Sequence, residues 1–422
     1  MKVTLAYGKT GLDVVLPDQA DVTLIEPKYL QGLPDQAGAI RQSLRQPISS
    51  PPLRYLTNPC SRVGIIFSDI TRATPNEVIL PVLLAELDHI PSERIVLFNS
   101  TGTHRANTDS ELRGMLGDAI VNRYRIVQND CLDRASHVLV GTTRSGNDVR
   151  VQREFVECDV RILTGFIEPH FFAGFSGGGK AVMPGLALLE TISRNHNAPH
   201  MDSPMASWGI TAGNPLWEEV RDATAMAEPT FLLNVTLNRD RQITGVFAGD
   251  WQEAHARGCE FAKATAMSPV GDAFDIVITS NSGYPLDLNV YQAVKGMSAS
   301  AQIVKQGGSI IVAAECWDGI PDHGKYAQLL RSAESLDELL EAVRHPACQE
   351  QDRWQAHIQA LICRKADVYF HSHNLSDELL RSIHLLPCPD IGATVQSLLA
   401  RYGPDARVCV LPEGPQTIPY IA

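Results

Sequence analysis

An acid, a histidine, four glycines and a lysine fall within thirteen residues: Glu168-Pro-His-Phe-Phe-Ala-Gly-Phe-Ser-Gly-Gly-Gly-Lys180. A histidine such as His170 can exchange a proton near neutral pH. A lysine at the end of a glycine loop, as Lys180 is, suits either a phosphate clamp or an activated nucleophile. The backbone of Ser176, Gly177, Gly178 and Gly179 is free enough to wrap an anion with its N–H groups. Two further loops carry the same kind of chemistry. Ser68-Asp-Ile-Thr-Arg-Ala-Thr-Pro75 offers the acceptor Asp69 and the bidentate donor Arg72, which fits a carboxylate or phosphate or forms a local salt bridge. Thr101-Gly-Thr-His104 adds a second histidine, so that His104 and His170 could act as an acid and base pair.

Gly174-Phe-Ser-Gly-Gly-Gly179-Lys180 has the spacing of a nucleoside-triphosphate P-loop, Gly-x4-Gly-Lys. Ala181 stands where that motif needs a magnesium-binding hydroxyl, and Pro184-Gly185 interrupts the helix that should follow. Both features count against a P-loop and leave a looser phosphate-binding role open. His196, in Ser-Arg-Asn-His, is a candidate metal ligand because neutral imidazole binds transition metals well. His200 lies four residues on, but Pro199 breaks a shared helix. His371-Ser-His373 is a further pair with little around it.

The loops have to be held by something. Val63–Phe67, Arg94–Phe98 and Val160–Leu163 are short and apolar, and each runs into one of the polar loops. Helical stretches follow, through Val78 to Leu87, from Asp109, and from Leu186 to Ile192. Strand, loop and helix in rotation predict a parallel sheet covered on both faces, with ligands at the carboxyl ends of its strands. Phe231–Leu237 and Gln242–Phe247 read as an antiparallel hairpin, followed by a helix from about Trp251 to Thr265. A second alternating pattern begins at Phe274–Thr279 and leads to a helix containing Tyr291, Gln292 and Lys295. The expectation is two α/β domains with mainly parallel sheets, 1–268 and 274–422, with a linker over Ala266–Gly271 and an active-site cleft between them. The C-terminal end would be free to pack back on the first domain.

Composition frames these readings. A chain of 422 residues is too long for one core. Its 44% hydrophobic and 20% charged residues are ordinary for a globular protein. No apolar run nears the roughly 20 residues of a membrane helix, and the N-terminus has no signal-peptide core. Nine cysteines without a Cys-x-x-Cys pair point to thiols in a reducing cytoplasm. A net charge of -12 disfavours nucleic acid.

Taken together, the motifs resemble those of the nickel-dependent lactate racemase family. The pieces are Ser68–Pro75, Thr101–Arg105, Glu168–Lys180 with Pro184-Gly185, Ser193–His196 and Tyr291–Lys295, in the family's order and over nearly the whole chain. The resemblance implies a nickel-pincer nucleotide, a pyridinium mononucleotide whose two sulfur arms and one ring carbon hold nickel. It implies that Lys180 joins this cofactor covalently and that His196 completes the nickel site. His104 and His170 would be the two acid/base residues, and Asp69 a cofactor-site residue. Arg72 and Lys295 would hold the substrate carboxylate, with Gln292 and Tyr291 beside them.

The reaction so implied is racemisation or epimerisation at C2 of a 2-hydroxy acid, lactate-like or a dicarboxylic or longer analogue. Hydride would leave C2, giving a 2-keto acid, and return to either face. Cofactor-maturation proteins for carboxylation, sulfur transfer and nickel insertion would be partners, with no nucleic acid and no membrane. Arg105 and Arg194 are candidates for a second carboxylate, or are solvated. Two rival readings stand beside this one. An NAD-type dehydrogenase of 2-hydroxy acids would need a Gly-x-Gly-x-x-Gly turn after a strand, and none is present. A non-catalytic nucleotide-binding protein would use the glycine loop and leave the two histidines without a role.

Overall fold

Val160–Phe166, Val63–Ser68 and Ile95–Ser100 are neighbouring parallel strands, in that order across a six-stranded sheet. Side chains alternate between the two faces of a strand, and the sequence uses both. Ile65 and Phe67 enter a core on one face with Ile79, Leu83, Ile162 and Leu233. Ile66 enters the other with Phe98, Phe155, Leu163 and Leu232. Burial of each such side chain contributes about 1.5–3 kcal/mol, which is why these strands read as unbroken apolar runs. The sheet continues outward through Arg125–Gln128 on one side and the hairpin Phe231–Leu237 and Ile243–Gly249 on the other. Only the hairpin is antiparallel. Strand order reverses between Val63–Ser68 and Val160–Phe166, since the chain proceeds from the former to Ile95–Ser100 on its far side. Such a reversal opens a crevice at the strands' carboxyl ends. The Asp69 and Lys180 loops leave from its two sides.

The computed structural model describes residues 1–321, 324–345, 348 and 350–422. They form two units. One contains Tyr29–His196 and Ser203–Thr265, and the other Met1–Lys28, Asn197–Asp202 and Ala266–Ala422. The second unit has its own six-stranded parallel sheet, ordered Leu386–Pro387, Asp367–His371, Val304–Ala313, Phe274–Ser280, Arg407–Leu411 and Asp21–Leu24. This corrects the expected boundary in two ways. Residues 1–28 fold with the C-terminal half because Asp21–Leu24 pairs with Arg407–Leu411. The expected linker is ordered backbone, since Met267–Val270 pairs with Ile418–Ile421.

Helix starts follow local chemistry. Thr108 and Glu111 form a reciprocal capping box ahead of Asp109–Leu116. The helix expected from Leu186 begins only at Leu189. Leu186 and Leu188 are occupied otherwise: Gln152 N–H donates to the Leu186 carbonyl at 2.9 Å, and Leu188 N–H to that of Arg150 at 3.1 Å. Among the described residues no helix is long and apolar enough to cross a membrane.

Candidate functional site

Asp69 directly follows the strand Val63–Ser68 and is only 2% exposed. Its Oδ2 lies 2.8 Å from His104 Nδ1. The Thr71 hydroxyl donates to the same carboxylate, at 2.9 Å to Oδ1 and 3.2 Å to Oδ2. A carboxylate only accepts, so the His104 ring proton sits on Nδ1 and the Nε2 lone pair is left as a base. His104 itself is exposed. Sequence spacing paired Asp69 with Arg72, whereas the structure pairs it with a histidine from the adjacent strand's loop. Arg72 instead lines an open cavity of about 500 Å³ with Thr74, Glu77, Glu111 and Arg241.

His170 sits on a two-residue strand, Pro169–His170, which pairs back on Gly174–Phe175. The Ala173 N–H donates to His170 Nδ1 at 3.3 Å. The lone pair is therefore on Nδ1 and the ring proton of the neutral imidazole on Nε2. His104 and His170 thus carry opposite tautomers. Phe172 joins this histidine to the other candidates. Its ring lies 4.6 Å edge-on from His170 and 5.3 Å edge-on from His196, and Lys180 Nζ stands 5.7 Å from its centroid. His196 caps the end of the helix Leu189–Asn195, and its Nδ1 donates to the Ile192 carbonyl at 3.0 Å. That bond fixes the tautomer and leaves Nε2 as the donor atom a metal would use. Asn195, buried next to it, donates to the Leu216 carbonyl and to Glu219, so the helix end is anchored from beneath.

The glycine loop differs from expectation. It is a packed turn, Gly178–Ala181, with Gly178 and Gly179 buried. A Cβ at Gly177 would meet Asn234 Oδ1 at 2.6 Å, one at Gly178 the His255 ring at 2.5 Å, and one at Gly179 the Thr224 hydroxyl at 2.7 Å. Close approach, more than flexibility, calls for glycine here. Gly178 N–H already donates to Asn234 Oδ1 at 2.7 Å, so this group is not open to a phosphate. Ordering three glycines costs about 0.5–1 kcal/mol each relative to alanine. Three inward hydrogen bonds worth about 0.5–1.5 kcal/mol apiece offset it.

Tyr291, Gln292 and Lys295 lie on the helix Val290–Ala301 of the other unit, where Asn289 caps Gln292 N–H. Gln292 and Lys295, three residues apart, share one face and are half-buried. The Tyr291 hydroxyl donates to Asp352 at 3.4 Å. Arg105 is engaged by Glu111 through two bonds of 2.7 and 2.8 Å, and Arg194 donates to the Gly146 carbonyl. His371 Nδ1 donates to the Cys388 carbonyl, and His373 Nδ1 accepts from the Tyr7 hydroxyl. This pair ties down the N-terminal segment. Among the described residues no three His, Cys, Asp or Glu side chains gather closely enough to hold a metal ion. His196 would need donors from outside the chain.

Known proteins match this arrangement from end to end. Residues 7–209 match the family described as lactate racemase N-terminal domain, and residues 271–418 the lactate racemase C-terminal domain. A lactate racemase from Lactiplantibacillus plantarum is 38% identical over 417 residues, covering 98% of each chain. One from Thermoanaerobacterium thermosaccharolyticum is 33% identical over 421 residues, covering 99% of this chain and 98% of that one. The solved lactate racemase apoprotein from that organism superposes with a TM-score of 0.92 at 32% identity, over 99% of this chain and 100% of its own. The chain belongs to the lactate racemase family.

Proposed function

We propose that this chain is a racemase of lactate or a closely similar 2-hydroxy acid, working with a nickel-pincer nucleotide joined to Lys180. The observation that carries the reading is the pair of oppositely tautomeric histidines, His104 held by Asp69 and His170 held by the Ala173 N–H. Two enantiomers present their hydroxyl groups on opposite sides of C2, so inversion needs one proton-exchanging group per side. Each ring would take the hydroxyl proton of one enantiomer and, as the imidazolium so formed, give it back on that same side, so that neutral His104 begins the reaction of one enantiomer and protonated His170 completes it as the other. Asp69 stabilises the His104 imidazolium formed in that step.

The residues present suit the cofactor. His196 offers one oriented imidazole nitrogen, as a site completed by non-protein donors requires. Lys180 extends from a packed turn beside the Phe172 ring. When bound, the nucleotide would accept and return the C2 hydrogen as hydride, which spares the reaction a carbanion beside a carboxylate. Arg72, and Lys295 with Gln292 and Tyr291, are the residues proposed to orient the substrate carboxylate. The nine cysteines, all free thiols, suit a reducing cytoplasm. The test is expression with the cofactor-maturation proteins, followed by incubation with pure L-lactate. Chiral chromatography should show D-lactate approaching an equal mixture. No inversion of lactate or any chiral 2-hydroxy acid, with nickel and adduct both present, would reject the reading.

A further inference from the structure

Lys180 follows three glycines, which have no side chains to anchor the turn, and the side-chain hydroxyl of Ser176 before them bonds the backbone of Phe166 and Glu168. The backbone of the turn is held from behind by one side chain from each of three elements. His255, on the helix Trp251–Ala266, donates from Nε2 to the Ser176 carbonyl at 2.9 Å. Asn234, on the strand Phe231–Leu237, accepts the Gly178 N–H. Thr224, on the helix Pro215–Met226, donates to the Gly179 carbonyl at 2.9 Å. All three side chains are nearly or fully buried.

We propose that His255, Asn234 and Thr224 are positioning residues that set the direction and reactivity of the Lys180 amine. The three bonds engage Ser176, Gly178 and Gly179, so together they fix the backbone up to the residue before the lysine. His255 is itself pinned. It stacks on Trp217 at 4.8 Å and 19°, and Cys259 Sγ lies 3.5 Å from both ring nitrogens. Because the Ser176 carbonyl can only accept, Nε2 carries the proton that reaches it. Burial, together with the nearby Lys180 charge, lowers the His255 pKa to about 4, which keeps the ring neutral beside the ammonium. A residue that served only to fill the core would not need this donor pattern on consecutive stretches of one turn.

The proposal rests on Lys180 as the attachment lysine, and the experiment keeps the two apart. The cofactor-free full-length protein is treated with limiting acetic anhydride, and acetylation at Lys180 is read by peptide mass spectrometry against Lys9 and Lys305 as internal references. His255→Ala should change the Lys180 ratio by about three- to tenfold, the shift that losing one hydrogen bond allows. His255→Gln, which can still donate to Ser176, should restore most of it. Protein matured with cofactor should show a matching loss of adduct mass in His255→Ala. An unchanged acetylation ratio and unchanged adduct yield in a folded His255→Ala protein would overturn the proposal. If that variant does not fold, Thr224→Val against Thr224→Ser decides by the same ratio. Absence of an adduct in the wild type would reject Lys180 as the attachment site, while the acetylation ratios would still decide the positioning roles.

Discussion

Asp69 and His104 come from loops after two adjacent strands, and a 2.8 Å contact between Oδ2 and Nδ1 makes them one hydrogen-bonded unit. The carboxylate decides which imidazole nitrogen is free to act. Asp69→Asn keeps the shape but can donate to Nδ1, which would move the ring proton to Nε2 and remove the base. A fall in kcat of about 10²-fold or more is expected, with melting temperature nearly unchanged. Steady-state kinetics with each lactate enantiomer checks it, and equal kcat in both proteins would remove Asp69 from the mechanism.

His104→Ala and His170→Ala should each abolish the full cycle but spare one half-reaction. Mixing each variant with a single enantiomer and following the 2-keto acid separates the two. His104→Ala should still oxidise one enantiomer, and His170→Ala the other, with losses of about 10²–10⁴-fold on the affected side. Equal losses for both enantiomers in both variants would mean these rings only shape the pocket.

Lys180→Ala should abolish the covalent cofactor adduct, which intact-protein mass reads directly. His196→Ala should keep the adduct and weaken nickel binding by more than the roughly ten- to hundredfold that losing an outer-shell partner of a ligand costs. Metal analysis after dialysis distinguishes the two. Full nickel occupancy in His196→Ala would move the ligand role elsewhere.

Acid stability offers a separate check. The folded protein holds His255 neutral down to a pKa of about 4, against an ordinary 6.5. As pH falls, the unfolded chain takes up this proton first, so stability is fully present above pH 6.5 and declines between 6.5 and 4. The loss from this one group is about 3 kcal/mol at most. Urea unfolding at pH 7 and pH 4.5 should show a smaller decline for His255→Gln than for wild type. Parallel declines would contradict the burial of an uncharged ring.

The strands and loops that carry the candidate site could be read from the chain because they are local. An apolar strand followed by a polar loop needs only five or six residues to show itself, so Val63–Ser68, Ile95–Ser100 and Val160–Phe166 fall on the expected runs. Their parallel pairing then brings the three loops to one edge of the sheet. What escaped was non-local. Nothing near Asp69 announces His104 as its partner, and nothing in Ser176–Lys180 tells a packed turn from a flexible one. That distinction depends on Asn234, Thr224 and His255, which lie well downstream. The delayed helix at Leu189 has a similar cause, since the strand Asp148–Gln152 claims the backbone just before it.

The pairing of Asp21–Leu24 with Arg407–Leu411 bears on how the protein is made. The edge strand leaves the ribosome long before the strand it hydrogen-bonds to. Roughly 380 residues separate them, on the order of 20–75 s at typical rates of synthesis. Throughout that interval Val3, Leu5, Val14 and Leu16 lack the core they later enter with Ile276 and Val408. The hairpin Lys2–Leu5 and Leu12–Val15 can close locally, but Asp21–Leu24 has to wait without its strand partner while the other sheet is already closing.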